Sequence, residues 1–136
     1  MLDETRVSLS SYRLEKASEC IAAAEAAMES GSLPTAINRS YYCIFHAMRA
    51  VISLDVFDSS KHSGIISFFR QHYIKTNIFP VEFSDIIERA FKTRNKSDYD
   101  DFYIFKKSEA LCQITDAKTF LEAVETYITT LSSATE

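Results

Sequence analysis

The segment from residue 33 to 54 constrains the fold most strongly, because its apolar side chains form two stripes along one helix. Each stripe recurs at spacings of three and four residues, which is the period of an α-helix. One stripe has larger side chains, Ile37, Tyr41, Ile44, Met48 and Val51, and the other small ones, Ala36, Ser40, Cys43, Ala47 and Ala50. Two buried faces need neighbours on both sides, and small side chains let one neighbour approach closely. The sequence therefore predicts a central helix.

Four other segments share the helical period, and no segment alternates as a strand would. The predicted helices cover residues 6–30, 62–75, 81–94 and 108–131. Gly31 supplies a left-handed end to the first helix, while Ser32 caps the second and Pro34 lies in its first turn. Only two glycines and two prolines occur in 136 residues, which suits long helices. We expect one all-α domain over residues 1–136, a five-helix antiparallel up-and-down bundle with its core at about residues 6–131.

The charge balance argues against a protein that coats nucleic acid through bulk electrostatic attraction. The formal net charge is −4 and the isoelectric point is about 5.4. Two local groups of cations remain, Lys61 with His62, and Arg94 within residues 92–96. A phosphate site at one of them is compatible with an acidic chain, because such a site depends on local charge.

The cysteines and the apolar runs predict the compartment. Cys20, Cys43 and Cys112 are odd in number, widely separated and placed in helical apolar patterns, which favours reduced, buried thiols. The N-terminus lacks a basic region followed by an apolar one, and no run of about eighteen apolar residues occurs. We therefore expect a cytoplasmic protein without membrane association.

Metal and nucleotide motifs are missing from the sequence. None of His46, His62 and His72 has a glutamate three residues earlier, and there is no His-Glu-x-x-His run. Two glycines cannot build a dinucleotide or triphosphate loop. We expect no metal and no cofactor.

Three polar features remain as candidates for a site. The central helix carries a polar strip, Asn38, Arg39, Tyr42, His46 and Arg49; the third helix starts at residues 61–64; and a polar run covers residues 94–99. Arg94 continues the apolar stripe of the fourth helix, so its guanidinium should emerge on the inner face and need a partner. That partner is either a phosphate or a carboxylate, Asp98 or Asp101. Likewise, the polar strip is either a structural network or a ligand contact.

These runs resemble a known family. Ala36-Ile37-Asn38-Arg39-Ser40-Tyr41-Tyr42-Cys43-Ile44-Phe45, Lys61-His62-Ser63-Gly64 and Arg94-Asn95-Lys96-Ser97-Asp98-Tyr99 are similar in order and spacing to the HEPN domains of prokaryotes, over about residues 14–127. The resemblance implies a five-helix bundle that usually dimerises, with the arginine motif in a cleft between subunits. It also implies an RNA target: many members are metal-independent RNases, and many are toxins encoded beside a minimal nucleotidyltransferase that neutralises them.

The chain departs from the family motif where the resemblance implies a catalytic histidine, because Tyr99 stands five residues after Arg94. A phenol with a pKa near 10 is a poor base at neutral pH. The leading hypothesis is therefore the HEPN component of a nucleotidyltransferase-linked module that binds RNA or nucleotide with little or no catalysis. The alternatives are a metal-independent RNase that uses Arg94 with His62 or His46, and a non-catalytic helical adaptor.

The predicted site residues follow from these motifs. The candidate catalytic residues are Arg94, Tyr99 and His62, and the candidate RNA- or nucleotide-binding residues are Asn38, Arg39, Tyr42, Lys61, Arg94, Asn95 and Asp98. A homodimer is expected from the resemblance. The ten phenylalanines and seven tyrosines also favour it, because they are many for one chain of this size to bury.

Overall fold

The computed structural model describes residues 3–55, 57–99 and 102–134, without the side chains of Tyr99 and of residues 132–134. Its helices are α1 (Glu4–Glu29), α2 (Leu33–Ile52), α3 (His62–Phe69), α4 (Glu82–Tyr99) and α5 (Lys107–Ala134), and a π-helical turn (Arg70–Ile74) continues α3. The predicted all-α bundle is confirmed. Within the described residues, no helix has both the length and the apolar character needed to cross a membrane.

Helix α2 is central, as its two stripes predict. It contacts α1, α3, α4 and α5, and both stripes are buried. Polar side chains of the neighbouring helices also bond to the backbone of α2. The Ser10 hydroxyl of α1 donates to the carbonyl of Ala50, and Gln113 Nε2 of α5 donates to the carbonyl of Ile37, each at 2.7 Å. Because these donors are buried, the bonds also satisfy groups that would be costly to leave unpaired.

The turn between α1 and α2 agrees with the sequence prediction at Gly31 and differs from it at Ser32. Gly31 has φ of +83°, the left-handed conformation predicted for it. Ser32 is the N-cap residue of α2, but its side chain makes no bond to the backbone of the first turn. Its hydroxyl donates instead to Thr35 Oγ1 at 2.8 Å. The predicted side-chain cap is therefore wrong, because the ψ of 84° at Ser32 departs from the extended conformation of most capping residues.

In the C-terminal half, the structure differs from the sequence prediction at two helix ends and in the exposure of one cysteine. Helix α4 extends to Tyr99, five residues beyond the predicted end at residue 94, and the pair Arg94 and Asp98 is spaced to support that extra turn. Helix α5 continues past residue 131 to Ala134. Cys20 and Cys43 are buried free thiols as predicted, whereas Cys112 is exposed because it lies on the outer face of α5.

Aromatic side chains fill the core at one end of the bundle. Phe69 lies 5.4 Å from Phe79 and 5.5 Å from Phe120 between ring centroids, and Phe83 lies 5.0 Å from Phe120. Phe102, by contrast, is 94% exposed. The single chain therefore packs many of the aromatic residues on which the expectation of a dimer partly depended.

Candidate functional site

Arg94 lies on the inner side of α4, between a carboxylate and two aromatic rings. Its side chain is 17% exposed, and its Nε lies 2.9 Å from Asp98 Oδ2 as an ion pair without the alignment of a hydrogen bond. Nη2 donates to the hydroxyl of Tyr42 at 3.3 Å. The guanidinium carbon is 5.1 Å from the ring centroid of Tyr41 and 5.6 Å from that of Tyr42, within the range of cation–π contacts. The carboxylate partner that the sequence left open is thus Asp98, while Asp101 lies outside the described residues.

His62, the first residue of α3, is linked to Arg94 through Tyr41. The Tyr41 hydroxyl and His62 Nδ1 are 2.9 Å apart, within hydrogen-bond distance. The imidazole also stacks on Phe45, with 4.1 Å between ring centroids. Because the same Tyr41 ring lies beside the guanidinium of Arg94, three helices contribute to one connected group of side chains.

The polar strip of α2 supplies a second guanidinium to this group. Arg39 donates from Nη2 and Nε to the side-chain oxygen of Asn38, at 2.7 and 3.0 Å. Its guanidinium carbon lies 5.2 Å from the ring centroid of Tyr42. Tyr42 is therefore within cation–π range of both Arg39 and Arg94. We call Arg39, Tyr41, Tyr42, His62 and Arg94 the arginine cluster.

Burial and positive charge keep the imidazole of His62, and that of the neighbouring His46, neutral at physiological pH. Burial lowers the pKa of His62 below its ordinary value of 6.5, and the charges of Arg94 and Arg49 lower it further. Burial, together with Arg49, Arg39 and other cations nearby, lowers the pKa of His46 to about 4. Burial raises the pKa of Tyr41 to about 12 against the opposing charge of Arg94, so its hydroxyl remains protonated. The region therefore holds the guanidinium charges of Arg39 and Arg94, the latter paired with Asp98, with neutral imidazoles beside them. An anion that replaces Asp98 at Arg94 would meet two positive charges.

The structure brings several predicted site residues together and separates others. Asn38, Arg39, Tyr42, His62, Arg94 and Asp98 belong to the connected group. His46 lies beside it, 6.0 Å from the ring of Tyr42. Lys61 is exposed at the N-cap of α3, and Asn95 lines a separate cavity between α3 and α4. The side chain of Tyr99 lies outside the described residues.

Tyr41 is the residue that sequence reasoning left out of the site. Its position in the large apolar stripe assigns it to the core, and it is indeed only 1% exposed. Its ring contributes to the core while its hydroxyl reaches His62. The available signal was the hydroxyl itself, because a buried tyrosine usually finds a hydrogen-bond partner.

Metal ligands do not gather in the part of the chain that the structure describes: no three histidine, cysteine or acidic side chains come close enough to hold an ion. The arginine cluster offers guanidinium, imidazole and phenol groups. Such groups can bind a phosphate, stack on a base and accept a proton.

Comparison with known proteins gives consistent matches. The model of the HEPN domain matches residues 10–127. A protein of Thermotoga maritima named "UPF0332 protein" is 30% identical over 123 residues, which cover 90% of this chain and 93% of that protein. A protein of Methanocaldococcus jannaschii named "Putative toxin" is 31% identical over 115 residues, or 85% of this chain and 78% of that protein. A second protein of that organism and name is 29% identical over 86 residues, or 63% of this chain and 64% of that protein.

Proposed function

This chain belongs to the HEPN domain family, and we propose that it is a toxin-like HEPN protein that binds RNA at the arginine cluster. The observation that carries the proposal is the placement of the Arg94 guanidinium against the rings of Tyr41 and Tyr42. The rings hold the cation in position without neutralising it. Two relatives with toxin in their names support the toxin-like part.

The contacts of Arg94 are compatible with exchange for a phosphate. Its ion pair with Asp98 is misaligned for a hydrogen bond, and its contact with Tyr42 is long, at 3.3 Å. A phosphodiester could accept two aligned bonds from the same guanidinium, which makes arginine well suited to phosphate recognition. Arg39 adds a second charge next to the half-buried ring of Tyr42, on which a base could stack.

The test of RNA binding compares two arginines of α4. Arg94→Gln removes one of the two guanidinium groups of the arginine cluster. Arg89→Gln removes an exposed arginine outside the cluster that pairs with Asp116 at 3.1 Å. We measure the affinity for a fluorescein-labelled single-stranded oligoribonucleotide by anisotropy. Loss of a charge-assisted contact should weaken binding roughly 10- to 100-fold for Arg94→Gln and leave Arg89→Gln near the native value. Equal affinities for the native protein and Arg94→Gln would refute the site.

We extend the proposal to assembly: the protein forms a homodimer and is the HEPN component of a module with a minimal nucleotidyltransferase. A toxin needs a neutralising partner, and an RNA target agrees with the cytoplasmic location predicted from the sequence. Sedimentation at micromolar concentration tests the dimer, and a monomer throughout would overturn it. Expression in a bacterial host, alone and together with a minimal nucleotidyltransferase, tests the module. Growth arrest that the partner relieves is expected, and the Arg94→Gln variant should cause none.

A second candidate function, metal-independent RNA cleavage, is favoured by the contact between Tyr41 and His62. When Nδ1 donates to the Tyr41 oxygen, Nε2 is left unprotonated and can accept the proton of a ribose 2′-hydroxyl. The 2′-oxygen would then bond to phosphorus as the bond to the 5′-oxygen breaks, and the 5′-oxygen would take a proton from water, while Arg94 stabilises the charge on the phosphate. His46 is less suited to this role, because a pKa of about 4 makes it a weak base.

The cleavage test uses total RNA in the presence of a chelator. Native activity that is lost in His62→Asn and Arg94→Gln, and retained in His46→Asn, would establish the RNase and exclude the non-catalytic reading. Activity that survives His62→Asn would remove His62 from the mechanism. If instead Arg94→Gln lowers stability and leaves RNA binding unchanged, the chain acts as a helical adaptor.

A further inference from the structure

A concave surface lies between α3, with its π-helical turn, and α4, next to residues of the arginine cluster in the chain. Its cavity volume is about 750 Å³, in the range of ligand sites. Its wall combines apolar side chains (Ile66, Ile87, Phe91) with cations (Arg70, Lys75, Lys92) and several hydroxyl and amide groups. We call this surface the α3–α4 groove.

The groove is locally positive although the chain as a whole carries a net charge of −4. Among the residues that the structure describes, Glu88 is its one acidic lining residue, and it pairs with Lys92 at 3.2 Å. Arg70 is held at the wall, where its Nη2 donates to the carbonyl of Ser84 at 3.2 Å. The three cations of the described wall therefore outnumber its carboxylate by two, and Lys92 can exchange its exposed ion pair with Glu88 for a phosphate.

The groove and the arginine cluster are formed by neighbouring residues of α3 and α4. Ser63 and Asn95 line it, and they follow His62 and Arg94 directly in the chain. Successive residues of a helix point about 100° apart, so α3 and α4 present the cluster on one face and the groove on the adjoining face. A flexible polyanion held by Arg94 would therefore reach the groove with its next units.

We propose that the α3–α4 groove binds the nucleotides of a single-stranded RNA that adjoin the phosphate at Arg94. This inference rests on the proposed RNA binding. The bases contact the apolar wall mainly at Phe91, which is half-buried, since Ile66 and Ile87 are only 7% and 2% exposed. The phosphates contact Lys75 and Lys92. A single strand matches this combination of cations with apolar surface, because each nucleotide brings one charge and one stacking face. An acidic peptide would match the charges without using the wall in this way.

The first test measures the salt dependence of RNA binding for two matched lysine variants. Lys92 lies in the groove and pairs with Glu88 at 3.2 Å, whereas Lys118 lies on α5 and pairs with Glu25 of α1 at 3.1 Å. Each change to glutamine removes one charge and one surface ion pair. For a short oligouridylate, Lys92→Gln should reduce the slope of log K against log salt by about 0.7, the value for one phosphate contact on a single strand. Lys118→Gln should leave the slope unchanged.

The second test places a reporter in the groove, since the chain has no tryptophan. Ser67 is an exposed residue of α3 that lines the groove, and Thr115 is an exposed residue of α5 outside it. Stacking of bases should quench the tryptophan fluorescence of Ser67→Trp when oligouridylate is added, and should leave that of Thr115→Trp unchanged. Quenching of neither variant by bound RNA would overturn the proposed contact between bases and groove.

The outcomes separate this inference from the proposed function. The groove proposal fails, and RNA binding at the cluster stands, if the RNA affinity depends on Arg94 but the other two tests give no difference. That is, Lys92→Gln and Lys118→Gln show the same salt slope, and RNA does not quench the fluorescence of Ser67→Trp. If the native protein does not bind the oligonucleotide, both fail. If an acidic peptide without bases quenches Ser67→Trp and displaces the RNA at equal concentration, the groove is a peptide site and the proposal is overturned.

Discussion

His46 makes a prediction about stability that follows directly from its surroundings. It lies on α2 beside Tyr42, and the cations Arg49, Arg39, Lys16 and Arg13 act on it together with burial. These influences lower its pKa from 6.5 to about 4. The imidazole is therefore neutral in the folded protein at a pH where it is largely protonated in the unfolded chain.

The sign and size of the effect follow from proton linkage. Between pH 6.5 and about 4 the unfolded state binds more protons at this residue, so the free energy of unfolding falls as the pH falls. From pH 7 to pH 5 the two pKa values correspond to a loss of up to about 2 kcal/mol. His46 is partly accessible to water, which screens the charges around it, so we expect a loss of about 1 kcal/mol.

The assay compares the native protein with His46→Gln, which cannot titrate, by urea unfolding at pH 7 and pH 5. The control is His72→Gln, which removes an exposed histidine. Between the two pH values, the native protein and His72→Gln should each lose about 1 kcal/mol more than His46→Gln, because the acid-sensitive term is absent only from the last. His62 titrates in the same direction but is present in all three proteins. Equal losses in all three would refute the pKa assigned to His46.

Two further predictions concern the packing around α2. Gly31→Ala should destabilise the protein by about 1 kcal/mol in urea unfolding, because φ is +83° there although no atom would contact the new Cβ within 4 Å. A Ser30→Ala control should have a smaller effect, and equal effects would argue against backbone strain. Gln113→Leu should cost about 1–3 kcal/mol, since it removes the donor to the Ile37 carbonyl and to Ser40 Oγ inside the core. A change below about 0.5 kcal/mol would show that these acceptors find other partners.

The central helix was predictable because burial of a helix face is a local, periodic property. The stripes that begin at Ala36 and Ile37 repeat within a single segment, so their spacing alone indicates two buried faces. The inward position of Arg94 follows for the same reason, as it extends the stripe of α4. The end of α4 was harder to predict, because residues 95–99 are polar and their helical turn depends on surface pairs such as Arg94 with Asp98.

Which residues form the site could be determined only from the folded structure. His62 and Arg94 are far apart in sequence, and their connection passes through Tyr41, whose spacing identifies only a core residue. The periodicity of residues within one helix does not predict the distance to the next helix, since that distance depends on how side chains from three helices pack together. The α3–α4 groove has the same origin: its cations and apolar side chains lie on two helices whose individual patterns give no sign of a shared concave surface.

Residue order is thus sufficient for the presence of the five helices, their buried faces and the family motifs of this protein, because each depends on side chains a few positions apart. The link between imidazole and guanidinium, the neutral state of His46 and the groove beside them arise only from packing. Burial and charge at those places come from residues that are distant in the chain and adjacent in space.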